Sequence, residues 1–243
     1  MATYNQGLNG SFSGKAGSVV GANWRSIGYI RGLSRFKNKS NSPRQAAQRL
    51  RFGMAVSFMR PMKSILRIGF MDRVRSRNTG FNQGIRQFIN HAIVGEYPDF
   101  GIDYAQVAIS NGGMEKLMGL TLASDQPYQL TLGWVDRTPP PNPLLPDPGV
   151  HNDDRVFVLL YNRTEDVYTT NTSAFRQDEG LALELPAVFA GHELHVWVFA
   201  QHRDGTDVSA SQYVGSVTLA GDGSEPEPEP DGEEEPEGTE TEP

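Results

Sequence analysis

The spacing of apolar residues changes close to Asp103, and this change limits the folds that the chain can adopt. Before Asp103, apolar side chains recur every three or four residues over long segments, which is typical of amphipathic helices. After it, short runs rich in Val, Leu, Tyr and Trp are separated by turn residues, which is typical of strands. The sequence therefore predicts an α+β N-terminal region followed by an all-β region.

The C-terminal region is predicted to be a β-sandwich. Seven short runs over about 115 residues favour the immunoglobulin or fibronectin type III kind of sandwich, with Trp134 in the core of an early strand. The seven predicted strands are Tyr104–Ile109, Leu117–Ala123, Tyr128–Val135, Arg155–Asn162, Leu181–Leu185, Glu193–Gln201 and Gln212–Leu219.

The N-terminal region combines a glycine-rich segment with helices. Seven glycines in the first 33 residues separate short runs of β-formers, which predicts a β-hairpin or small meander from about residue 12 to 33. Ser42 and Pro43 predict a helix start, and Pro61 predicts its end or a kink. A second helical segment follows, and a third begins at Asn78 or Thr79 with Gly95 as its C-terminal cap.

One stripe of the first helix is predicted to face the core, because its apolar residues recur at helical spacing. The residues of this stripe and its immediate neighbours are Ala46, Ala47, Leu50, Phe52, Met54, Ala55 and Phe58. The N-terminal region is therefore predicted to contain two or three amphipathic helices.

Charge is divided unevenly along the chain. Residues 1–95 contain sixteen lysines and arginines and a single acid, Asp72. Residues 96–220 contain six bases and seventeen acids, and residues 221–243 contain no base and eleven acids. Because the last segment also lacks apolar side chains, it cannot bury enough surface to fold and is predicted to be disordered.

These patterns predict three parts: a basic hairpin-plus-helix module (1–95), a sandwich domain (96–220) and an acidic Pro/Glu-rich tail (221–243). We expect a non-catalytic protein whose basic module binds nucleic acid or another polyanion, with the sandwich used for partner binding or spacing. Twelve of the sixteen bases are arginines, which suit bidentate phosphate contacts and stacking. The candidate contact residues are Trp24, Arg25, Arg31, Arg44, Arg49, Arg51, Arg60 and Arg67.

Other interpretations of the same charges stay open. The basic half could pair with the acidic sandwich, with the tail or with another subunit, as in a structural or assembly protein of a phage-like or surface particle. The bases could also only solvate the helices, although such surfaces usually mix both signs.

No arrangement of residues predicts catalysis, a cofactor or a metal. His192 and His195 are three residues apart, whereas the zinc motif on a helix needs four, and we expect these histidines on a solvated face of the sandwich. Asp153–Asp154 and Asp204–Asp207 lack the calcium-loop spacing and are predicted to be turns. A hydrolase or carbohydrate enzyme would need converging carboxylates or histidines, which these strands do not predict.

The ends and hydropathy of the chain bear on its location. The N-terminus lacks the basic and apolar regions of a secretory signal. No stretch approaches the roughly 18 apolar residues of a membrane span. We therefore expect a cytoplasmic protein without a membrane span, or one that is carried by a virion.

Several phrases of the sequence occur together in a recognisable order. They are Tyr4–Gly7, Phe12–Gly21, Trp24-Arg25, Gln48-Arg49, Phe52, Ala55–Phe58, Ile68–Phe70, Tyr97-Pro98 and Ile102–Tyr104. With these phrases, residues 4–219 resemble an uncharacterised family of Bacteroidota, about 200–240 residues long, that is classed only as a domain of unknown function. The resemblance implies no activity and no site residues.

Overall fold

The computed structural model describes residues 2–3, 12–24, 27–33, 42–71, 78–140 and 149–222. Within these ranges the strands are β1 (Ala2–Thr3), β2 (Gly14–Ala16), β3 (Val19–Trp24), β4 (Ile27–Gly32), β5 (Ile93–Glu96), β6 (Asp99–Ile102), β7 (Met118–Ala123), β8 (Gln129–Val135), β9 (Arg155–Asn162), β10 (Val167–Phe175), β11 (Gly180–Glu184), β12 (Glu193–Gln201) and β13 (Gln212–Thr218). The helices are α1 (Pro43–Met59), α2 (Lys63–Gly69) and α3 (Gly80–Gln87), with a π-helical turn at Phe88–Ala92.

Two antiparallel sheets form a sandwich in the C-terminal region. The strand orders are β10-β9-β12-β13 and β11-β8-β7. Leu132 and Trp134 of the smaller sheet share one buried cluster with Val158 and Val196 of the larger sheet. The predicted sandwich and the predicted core position of Trp134 are therefore confirmed, and six of the seven predicted strands are present within one residue of their expected bounds.

The first of the seven predicted strands is wrong. Residues Tyr104–Gln106 form a 3-10 turn instead, because the Asp103 carboxylate accepts a hydrogen bond from the Ala105 N–H at 3.0 Å and caps that turn. The sequence pattern did not predict β10, an edge strand whose centre is filled by Thr, Asn and Ser. An edge strand with one exposed face needs few apolar side chains, so its pattern is weak.

The helices pack on the outer face of the larger sheet. Alternate side chains of β9 and β12 point away from the sandwich core, and they are buried in a second cluster together with residues of the three helices. Phe58 of α1 meets the rings of Tyr161 and Tyr168 edge-on, with centroid separations of 5.3 and 5.6 Å. The larger sheet is consequently buried on both faces.

Capping residues determine where α1 and α3 begin, and glycines determine how closely α3 approaches α2. The Ser42 and Thr79 hydroxyls accept hydrogen bonds from the N–H groups of Gln45 and Asn82, so both predicted helix starts are confirmed. Gly80 and Gly84 face Leu66 of α2, where a side chain at Gly80 would overlap the Leu66 carbonyl. Glycine therefore lets α3 approach α2 closely.

The third helix ends earlier than predicted. It passes into the π-helical turn, and Ile93 then starts a hairpin in which β5 pairs with β6. Gly95 has φ +87° and lies opposite Phe100 in that hairpin, so it is not a helix cap. The predicted cap failed because a left-handed glycine serves a hairpin as well as a helix end.

Strands β1 to β4 form a separate sheet in the order β1-β4-β3-β2, which contains the meander expected between residues 12 and 33. Two of the expected boundaries stay predictions. The helices share a buried core with the larger sheet of the sandwich, so packing does not separate the chain into two domains at residue 95. The tail from residue 223 onward lies outside the described residues.

Candidate binding surface

The helices bury one side and present bases on the other. On α1, Ala55, Phe58 and Met59 are buried in the shared core. The predicted contact residues Arg44, Arg49, Arg60 and Arg67 are all exposed, as are Lys63 of α2 and Arg86 of α3. We call the exposed side of α1, α2 and α3 with these six bases the helical surface.

The ion pairs between described residues all use bases from the sandwich. They are Arg163–Glu193, Arg176–Asp154, His195–Glu193, His202–Asp204 and Arg203–Asp153. Within the described part of the chain, no carboxylate pairs with Arg44, Arg60, Lys63, Arg67 or Arg86. Arg49 donates a hydrogen bond to the side-chain oxygen of Gln45 at 3.5 Å.

The remaining predicted contact residues lie elsewhere. Arg51 is half-buried, and its guanidinium carbon lies 5.4 Å from the centroid of the Phe100 ring, a cation–π contact that turns it toward β6. Trp24, which is 48% exposed, and Arg31 lie on β3 and β4 of the N-terminal sheet. Arg25 lies outside the described residues.

Phe52 is a surface residue that the sequence analysis placed beside the core stripe. It is 51% exposed, and Leu50 is 42% exposed. Because successive helix residues are turned by about 100°, Leu50 and Phe52 point in nearly opposite directions and cannot share one buried stripe. This spacing in the sequence predicts that at least one of the two side chains lies outside the buried stripe.

Two hollows meet at Phe52. The first, of about 450 Å³, is lined by Gln45, Gln48, Arg49, Phe52 and Gly53 of α1. The second, of about 340 Å³, is lined by Phe52 and by Asn82, Ile85, Arg86, Ile89 and Asn90 of α3 and the π-helical turn. The ring of Phe52 thus stands between two adjoining depressions of the helical surface.

His195 is buried, and the expectation of a solvated histidine is wrong for this residue. Its ring stacks on Tyr104 with centroids 3.9 Å apart, and its Nδ1 lies 2.8 Å from the Tyr213 hydroxyl. Burial lowers the pKa of His195, although Glu193, 3.8 Å from Nε2, acts in the opposite direction. With only 4% of the residue exposed, the ring packs the 3-10 turn at Tyr104 onto the larger sheet and offers no access for a substrate.

In the Asp153–Asp154 turn that was considered for calcium, the Asp154 carboxylate interacts with other groups of the chain. Asp154 is fully buried beside Arg176, with 3.6 Å between the nearest carboxylate oxygen and Nε. Its oxygens also accept hydrogen bonds from the backbone N–H groups of His151 and Arg203. Among the described residues, no group of three or more His, Cys, Asp or Glu side chains could hold a metal ion.

Sequence comparison identifies the family. Residues 11–215 match a family of unknown function, DUF6266. The chain belongs to this family. The expected resemblance to a domain of unknown function is thus confirmed, while an origin in Bacteroidota stays a prediction. No curated protein matches the chain.

Solved structures similar to this DUF6266 member include fibronectin type III domains. One is the fn3 domain of the human collagen alpha-1(XX) chain, with 15% identity and a TM-score of 0.34, covering 48% of this chain and 94% of that chain. Another is the fn3 domain of human contactin 1, with 10% identity and a TM-score of 0.30, covering 48% of this chain and 87% of that chain. No helix within the described ranges is long and apolar enough to cross a membrane.

Proposed function

We propose that this protein is a non-catalytic binding protein that contacts nucleic acid, or a polyanion of similar charge density, through the helical surface. One observation supports the proposal most directly. The buried apolar residues of the three helices already pack in the core that they share with the larger sheet. Within the described chain, no carboxylate pairs with five exposed bases of these helices, Arg44, Arg60, Lys63, Arg67 and Arg86.

The order of the bases along the helices suits a phosphate backbone. Arg60, Lys63 and Arg67 follow one another from the end of α1 through α2, and all three are exposed. Each phosphate that such a side chain neutralises releases condensed counterions, and this release favours binding. The affinity therefore decreases steeply as the salt concentration rises. We further propose that the sandwich acts as a partner-binding or spacing domain, and that the acidic tail limits non-specific binding by competing for the helical surface.

The test is a binding series in salt. Fluorescence anisotropy with labelled DNA, and retention on heparin, would be measured for the full chain between about 50 and 200 mM NaCl. We expect the logarithm of the association constant to fall linearly with the logarithm of the salt concentration. We also expect a chain that lacks residues 223–243 to bind more tightly. Affinity that does not change with salt would overturn the proposal.

A second candidate function is assembly with copies of the same chain. The observation in its favour is the opposite sign of residues 1–95 and 96–220, since a basic surface on one copy would complement an acidic surface on the next. Light scattering of the purified protein separates the candidates. Large oligomers that dissociate in salt favour assembly, and a monomer that binds DNA favours the first proposal.

A further inference from the structure

The exposure of the Phe52 ring is not explained by binding through charge alone. A polyanion held only by counterion release needs bases and no exposed aromatic ring. Phe52 nevertheless exposes about half of its surface between two hollows, whereas Phe58 and Met59 of the same helix are buried. Exposed aromatic rings beside arginines are frequent in sites that bind unpaired bases, because every base has a flat face that can stack.

The lining of the hollows has a consistent chemistry. Besides Phe52 and two isoleucines, it offers the amides of Gln45, Gln48, Asn82 and Asn90 and the guanidinium groups of Arg49 and Arg86. An amide both donates and accepts hydrogen bonds, which matches the mixed edges of bases. Guanidinium groups suit phosphates. None of the described lining residues is a carboxylate.

The second hollow lies at the C-terminal end of α3. Ile89 and Asn90 belong to the π-helical turn at Phe88–Ala92, directly after α3. Wide turns of this kind occur at the C-termini of helices. The turn thus places an isoleucine and an amide side chain beside Phe52.

From these contacts we propose that Phe52 is a stacking platform for an unpaired base and that the two hollows receive neighbouring nucleotides. The helical surface would then select single-stranded over double-stranded nucleic acid, since bases inside a duplex cannot stack on a protein ring. This inference rests on the proposed function. The acidic tail of the chain does not suit the hollows, because residues 221–243 contain no aromatic or large apolar side chain.

The test compares three polyanions and three variants of the full chain. The probes are a labelled oligothymidine of about 20 nucleotides, a duplex of the same length and heparin. The variants are Phe52→Ala, Phe52→Tyr, which keeps a stacking ring, and Leu50→Ala, a matched control on α1 that lines neither hollow. Thermal unfolding of each variant verifies that it is folded.

We expect the unaltered chain to bind oligothymidine more tightly than duplex. Phe52→Ala should weaken oligothymidine binding about 5- to 150-fold, the usual loss for one stacked base, with heparin binding unchanged. Phe52→Tyr should restore the preference, and Leu50→Ala should leave it intact.

Different failures overturn different claims. Equal affinity for oligothymidine and duplex, unchanged in Phe52→Ala, would overturn the stacking site and leave polyanion binding in place. No salt-dependent binding to any of the three probes would overturn both. Self-association that is lost in Phe52→Ala, without nucleic-acid binding, would assign the hollows to a second copy of the chain and overturn the inference.

Discussion

The smaller sheet and the helices cover opposite faces of the larger sheet. Both bury apolar side chains against it, but the surfaces that they present to solvent differ in charge. On one side, β8 contributes Leu130, Leu132 and Trp134 to a buried cluster. On the other side, the helices contribute Phe58, Met59 and Phe88 to another. Outward, β8 alternates these with residues such as Thr131 and Val135, whereas the helices present six bases.

The difference between the two layers shows which of their features are needed for packing on the larger sheet. Both layers are held by apolar burial, and the smaller sheet achieves this with an outer face on which β8 carries no charge. Packing therefore does not require the arginines of the helical surface. Their excess over acids is instead a feature that we attribute to binding.

The largest effect is expected when one large side chain is removed from each of the two buried interfaces. Phe58→Ala on the helical side and Leu132→Ala on the sandwich side should each lower the free energy of unfolding by about 3 to 5 kcal/mol, because both leave cavities in a packed core. Urea unfolding, followed by both tryptophan fluorescence and circular dichroism, measures the loss. We expect one shared transition in each variant, since the larger sheet belongs to both cores.

An independent loss of the helices in Phe58→Ala, with an unchanged transition of the sandwich, would show that the two layers do not fold together.

A smaller effect is expected where α3 approaches α2. Gly80→Ala should cost about 1 to 3 kcal/mol, because the added methyl group overlaps the Leu66 carbonyl and the helices must separate. Gly53→Ala on α1 is the matched control, since a methyl group there has no heavy atom within 4 Å. That control should be neutral or stabilising by about 0.5 to 1 kcal/mol. Equal losses in the two variants, measured by thermal unfolding, would contradict the close approach.

The smallest effect concerns pH at His195, where the 3-10 turn packs on the larger sheet. Because burial holds the pKa of His195 below its ordinary value of 6.5, the unfolded chain takes up a proton more readily than the folded chain. Stability should then be full above pH 6.5 and fall as the pH drops below it. Urea unfolding at about pH 7.5 and 5.5 would show this fall, and His195→Gln should reduce it.

The groups that face His195 are Tyr104, Tyr161, Tyr213, Glu193 and Arg163. Burial raises the pKa of Tyr161 and of Tyr213, so neither hydroxyl titrates between pH 7.5 and 5.5. An undiminished fall of stability in His195→Gln would assign the pH dependence to other groups.

The strands were predictable where one face meets the core and the other meets solvent. β8 alternates buried and more exposed residues, and its prediction was correct. The covering of the larger sheet was not predicted, although a signal for it was present. Val156–Tyr161 and Leu194–Ala200 are unbroken buried runs, and such runs indicate a strand that is covered on both faces.

The candidate surface was predictable in part. Net charge indicated the basic helices, and the exposed positions of Arg44, Arg60 and Arg67 agree with that indication. The hollows at Phe52 were not predictable, because they depend on how α3 and the π-helical turn lie beside α1. Helical periodicity gives the faces of one helix and does not give the distance between two.

Binding through the helical surface is tested by the salt dependence of DNA binding in two charge-matched variants. One replaces Arg60, Lys63 and Arg67 by glutamine, and the other replaces the exposed sandwich bases Lys116, Arg137 and Arg155 by glutamine. We predict that the first variant reduces the slope of log K against log salt by about 2 to 3, close to 0.9 for each lost phosphate contact. The second should leave the slope unchanged. Equal slopes in the unaltered chain and both variants would contradict a role of the helical surface in binding.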